Sequence, residues 1–278
     1  MNQAASFKRA ALLLVTLLTL VFATSQAAFA QDQEEAMAGD LLDSIHQFRL
    51  QNFIALNAYY NYSATPDNQL VADINRAMSR SSTLMTDIEN QAGDTLSGSS
   101  LEDLQAAFAD FENQMNTNVS DIQESGFPDL RLLSEMAEQA QTLSILSENI
   151  YEEVAGQDVT PTVSDIELAR EASITMALMV TRYSARSSST MAQVFQGAVD
   201  DTSIDELARQ FDDIMNQLRS RLSQDQMARL LSDANSKWEF IRNSYINYDE
   251  RNVSFVINRY SLNIVDSLEG VIDQLKTS

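Results

Sequence analysis

The sequence predicts an all-α fold: about eight helices in tandem antiparallel four-helix bundles behind a signal peptide. Three observations carry this reading. Only 3 prolines and 7 glycines interrupt 278 residues. Between them, apolar residues recur every three or four positions, the period of a helix and not of a strand. There is no cysteine, so no disulfide can substitute for a core, and the 248 residues that follow a thirty-residue leader are enough to build one or two.

The leader reads as residues 1–30. Lys8 and Arg9 precede an uncharged run from Ala10 to Ala23, and Ala28-Phe29-Ala30 supplies the small-residue cleavage site, so the mature chain should begin at Gln31. A membrane anchor is the rival reading, but the apolar run is shorter than the roughly 20 residues a spanning helix needs. An Ala-x-Ala signal without cysteines points to a bacterial periplasm.

The first helix should run from about Glu34 to Ser63 and stop before Pro66, and the second should end at Ala92 before Gly93. Gly93 to Ser99 reads as a loop. Ser99 and Glu102 form a capping box for the third, with Leu101, Leu104, Phe108, Phe111, Met115, Val119 and Ile122 on one face. It should end near Gly126. Pro128 opens a fourth helix, whose stripe of Leu132, Met136, Leu143, Leu146, Ile150 and Val154 ends at Gly156.

Gln157 to Ser164, with Pro161, reads as the linker, dividing the mature chain into bundles at 31–157 and 158–278. Ser164 and Glu167 form a second capping box, and a fifth helix should extend to about Val199. The sixth begins near Ser203 with Ile204, Leu207, Phe211, Ile214 and Leu218 inward, and Ser223 with Gln226 caps the seventh. The last two run to about Tyr245 and from about Asn252 to Leu275. Phe111-Glu112 and Trp238-Glu239 occupy matching places in the third helix of each half, which supports a repeat, although eight helices in one body would give similar periodicity.

Charge and composition exclude several classes of function. The chain has 18 basic and 40 acidic residues; with Lys8 and Arg9 removed, 16 face 40, a formal net charge of −24. Nucleic acid and anionic lipid are repelled by such a field. The single histidine, His46, rules out the paired Glu-x-x-His of di-iron bundles. An axial haem ligand opposite a methionine is its alternative to an ordinary partly buried side chain. No Asp-x-Asp-x-Asp-Gly run suggests calcium, and the 11 methionines fall at core spacings. The three Asn-x-Ser matches, at Asn61, Asn118 and Asn252, carry no glycosylation reading. Neither a metal, a cofactor nor a catalytic set is expected.

One feature rises above this background. The 28 residues between Glu171 and Asp200 hold no acid, although acids make up about one in six residues elsewhere. Arg182 and Arg186, four apart on one helix face, lie there with Tyr183 and Ser187. The first helix repeats the trait: no acid from Ser44 to Pro66, but His46, Arg49 and the Tyr59, Tyr60, Tyr62 cluster. These residues suggest a small anionic or polar ligand held by guanidinium forks and hydroxyls. The alternative is that both helices are central ones, where unpaired acids are costly.

Trp238-Glu239-Phe240-Ile241-Arg242 and Asn252-Val253-Ser254-Phe255-Val256-Ile257-Asn258-Arg259-Tyr260-Ser261 resemble the closing helices of the type IV pilus methyl-accepting transducer N-terminal family. Arg182 to Met191 is similar to the first-helix motif of these PilJ-type and nitrate-sensor-like bundles, without its Gly-Arg-Gln-Arg core. The likeness covers mainly residues 166 to 275. It implies a periplasmic sensor module, with Arg182 or Arg186 matching a ligand-facing arginine and with output through a partner protein. A soluble binding or sensory accessory protein is therefore the expectation, against a scaffolding envelope protein acting through helix faces.

Overall fold

The computed structural model describes residues 39–93, 95–156, 163–188, 202–222, 225–247 and 253–277. Among these residues there are eight helices and no strand. They are α1 (39–64), α2 (Asn68–Ala92), α3 (Gly98–Ser125), α4 (Leu130–Ala155), α5 (Asp165–Ser188), α6 (Ile204–Arg221), α7 (Asp225–Ile246) and α8 (Ser254–Lys276). The leader, the linker at 157–162, the end expected for the fifth helix near Val199 and the Ser223 cap lie outside the described residues. No described helix is long and apolar enough to cross a membrane.

The helix ends follow local chemistry. Pro66 closes α1, and Asp67 caps α2 by accepting from the Gln69 backbone N–H at 2.9 Å. Gly126, at φ 83°, takes the left-handed conformation that ends α3 and donates to the Ile122 carbonyl. Asp129, directly after Pro128, caps α4 through the backbone N–H groups of Arg131 and Leu132. Ser164 accepts from the Glu167 N–H at 3.2 Å, as its capping box predicts.

Two details depart from expectation. Ser97, and not Ser99, caps α3, accepting from the Ser100 N–H at 3.1 Å; hydroxyls at 97, 99 and 100 make the position ambiguous in sequence. In α4 the inward leucine is Leu133, with Leu132 and Leu146 only partly buried. The buried positions 133, 136, 143, 147, 150 and 154 keep a strict heptad spacing, which brings Ser147 inside in place of Leu146.

The buried residues form two clusters. The first joins α1 to α4 around Phe48, Tyr59, Phe108, Phe111 and Met136, with Phe48 edge-on to Phe108 at 5.1 Å. The second joins α5 to α8 around Met176, Phe211, Trp238, Tyr245 and Leu268, with Phe211 edge-on to Trp238 at 4.8 Å. Phe111 and Trp238, the residues matched by the repeat, are each fully buried in the third helix of their cluster.

The clusters share a seam. Leu50 of α1 belongs to the second core, and Ala185 of α5 to the first. Both helices are buried nearly all round, unlike the single-sided α6. Within 44–64 and 172–188, the absence of acids follows from this: a carboxylate there would lose water without a partner.

Candidate functional site

Three groups of polar side chains on α1 and α5 differ in their degree of saturation. The seam holds the first. Thr181 Oγ1 donates to the Phe53 carbonyl at 3.1 Å, Ser184 Oγ to Asn57 Oδ1 at 2.7 Å, and Asn61 Nδ2 to Ser184 Oγ at 3.0 Å. Lower down, Glu269 of α8 gathers three donors: His46 Nε2 at 2.9 Å, Ser173 Oγ at 2.6 Å and the Gln47 amide. Burial pushes the Glu269 carboxyl up, but hydrogen bonds from His46, Ser173 and Gln47 outweigh it, so its pKa lies below the usual value.

Serine, histidine and a carboxylate therefore meet in space, in the wrong order for catalysis. Ser173 donates to Glu269, so the pattern lacks the serine-to-imidazole hydrogen bond that would make it a nucleophile. His46 is fully buried, beyond the partial burial expected, and its Nε2 is taken up by Glu269. Among the described residues, no group of three or more His, Cys, Asp or Glu could hold a metal ion.

The second group is the predicted arginine face of α5. Arg182 is half-buried and donates to the Thr202 carbonyl, which anchors the chain just before α6. Tyr183 is buried, accepts from the Val253 N–H at 3.3 Å and packs edge-on against Tyr245; burial raises its hydroxyl pKa. Ser187 turns back to the Tyr183 carbonyl at 2.8 Å. Arg186 is half-buried one turn beyond Arg182. The hydrogen bonds of Arg182, Tyr183 and Ser187 tie α5 to itself and to the starts of α6 and α8.

Arg49 belongs to a separate place, the third group. It lies 12% exposed between α1 and α4, with Nη2 3.5 Å from Glu148 and its guanidinium over the Tyr151 ring at 5.8 Å. Burial lowers its pKa, against the pull of Glu148, Tyr151 and Glu152. Arg49, Asn52, Phe53 and Leu56, at helical spacing on α1, face Ala140, Leu143, Ser144 and Ser147 of α4, with Phe111 of α3 closing the wall. They line a partly open cavity with a volume of about 20 Å³.

Three polar atoms in this wall are buried without a hydrogen-bond partner among the described residues: Arg49 Nε, Asn52 Nδ2 and Asn52 Oδ1. Asn52 is only 9% exposed. Buried polar groups are nearly always paired, and each unpaired one costs about 1–3 kcal/mol. The sequence singles out Arg49 but misses Asn52, Ser144 and Ser147. The available signal was the Arg-x-x-Asn spacing, which puts two amphiphilic residues on one face of an acid-free helix. The structure does not group Arg49 with Arg182, since their partners lie on α4 and before α6 respectively. No family model, no curated protein and no solved structure matches the chain.

Proposed function

We propose that this chain is an exported, non-catalytic helical-bundle protein, a binding or sensory accessory of the bacterial periplasm that holds a small polar ligand between α1 and α4. The observation that carries this reading is the trio of unpaired buried atoms on Arg49 and Asn52 around a cavity. A protein core keeps such groups at a cost to stability, and a ligand that pairs them recovers that cost as affinity. The signal-peptide pattern supports the compartment, and the likeness of residues 166 to 275 to PilJ-type bundles supports the sensory role. In that role, α1 carries occupancy of the niche on one face and the seam to the second bundle on another.

A thermal-shift screen of residues 31–278 against small polar metabolites, repeated with Asn52→Leu, tests the reading. A stabilising compound whose effect disappears in the variant is the expected result. A shift that persists in Asn52→Leu would move the site elsewhere. The second reading, a scaffolding protein, is favoured by the exposed Phe240 and Phe255, with the Phe240 ring 5.0 Å from Tyr260. It predicts that no metabolite shifts the melting temperature.

A further inference from the structure

We propose that the niche between α1 and α4 selects a neutral carboxamide-type group, a primary amide or a urea, over a carboxylate. This rests on the binding reading above and adds the chemical class of the ligand.

Arg49 has engaged Nη2 with Glu148 and its flat face with Tyr151, leaving the Nε–H edge as a donor. Asn52 offers the two N–H donors of Nδ2 and the acceptor Oδ1, all unpaired, so the conclusion is the same whichever way its amide is oriented. Ser147, fully buried in the same wall, has committed its hydroxyl proton to the Leu143 carbonyl at 2.5 Å. Its oxygen can therefore only accept. The niche thus presents three N–H donors, one from Arg49 and two from Asn52, and two acceptor oxygens, from Asn52 and Ser147.

A primary amide is the complement of that set. Its carbonyl accepts from Arg49 Nε–H and Asn52 Nδ2–H, while its two N–H groups donate to Asn52 Oδ1 and Ser147 Oγ. A carboxylate would satisfy the donors but press oxygen against both acceptors. It would also add negative charge where Glu148 and Glu152 already act on Arg49. The size is consistent: about 20 Å³ of water-accessible space exceeds the roughly 10–15 Å³ that admits one water. The niche is also partly open, so an amide head can enter it without being wholly enclosed. Phe53, Leu56, Phe111 and Leu143 supply an apolar surround for a short methyl tail.

Acetamide and acetate provide the test, because they share shape and differ in charge and in the N–H donors. The mature chain, labelled with nitrogen-15, is titrated with each and followed by NMR. Acetamide should move the backbone signals of residues 49–56 and 140–147 in a saturable way, with a dissociation constant about tenfold or more below that of acetate. Urea should compete with it. Asn52→Leu should abolish the shifts, and Arg49→Lys, which keeps a cation opposite Glu148 but lacks the Nε–H, should weaken binding about tenfold. Ser147→Ala, a smaller change, gives an independent reading should Asn52→Leu disturb the fold. Acetate binding as tightly as acetamide would overturn the carboxamide class and leave the binding reading standing. Shifts that survive Asn52→Leu, or no saturable shift with any of the three probes, would overturn the assignment of this niche.

Discussion

The two faces of α1 treat buried polarity in opposite ways. On the side toward α5 and α8, His46, Gln47 and Ser173 all engage one carboxylate. On the side toward α4, one turn further along, Arg49 and Asn52 retain three unpaired atoms. A saturated cluster holds a fold together, because removing any member strands the others. An unsaturated one weakens the fold and is useful only when something else completes it. Burial alone does not distinguish the two groups; the state of their hydrogen bonds does.

The largest effect should come from breaking the saturated face. Glu269→Ala leaves His46, Ser173 and Gln47 buried without their acceptor and should cost about 3–5 kcal/mol, read from chemical denaturation. Glu269→Gln, which keeps the shape and an acceptor, should cost less. The same residue sets a pH dependence. Because its folded pKa is depressed, its contribution is fully present above the unfolded carboxylate value, near 4.5, and is lost as pH falls through the lower folded value. Wild type should therefore lose stability on acidification below about pH 4.5 more steeply than Glu269→Gln. Equal slopes would show that the node is not charged in the folded state.

Asn52→Leu tests the unsaturated face and should have the opposite sign. Replacing an unpaired amide with an apolar side chain of similar size should stabilise the protein by about 1–2 kcal/mol, provided the leucine fits the cavity. A loss of similar size would mean that the amide is already paired and that the two faces do not differ. The seam itself should show in calorimetry. With Leu50 in the second core and Ala185 in the first, the two clusters should melt in one cooperative transition. Two resolved transitions would return the molecule to a pair of independent bundles. At the bottom of the scale, Arg76→Ala removes an exposed pair with Asp73 and should change stability by no more than about 0.5 kcal/mol, a baseline for the rest.

Much of the fold was legible because helices declare themselves locally. Prolines, glycines and capping residues mark the ends, and the inward stripes of α3 and α6 match the apolar spacing with little error. The acid-free stretches likewise marked α1 and α5, since a helix covered on several sides cannot carry free carboxylates. What that signal could not do was separate a site from a seam. Arg182 sits in the longest acid-free stretch yet secures the Thr202 carbonyl, while Asn52, unremarkable in sequence, has both side-chain polar atoms unpaired. Whether a side chain is paired depends on the rotation of the facing helix. The one-residue slip from Leu132 to Leu133 is the kind of rotation that periodicity does not resolve.

The link between His46 and Glu269 joins residues 223 apart in the chain. A ribosome adding about 5–20 residues each second makes α1 roughly ten to forty seconds before α8 exists to receive it. During that interval α1 can dock against α2 to α4, but its far side, including Leu50, has no cover. The first helix made is among the last to be fully buried, and a nascent chain in this condition is open to wrong association along that stripe. Release of the finished protein should therefore depend on an agent that shields apolar helices during synthesis, and chains truncated before α8 should aggregate through α1.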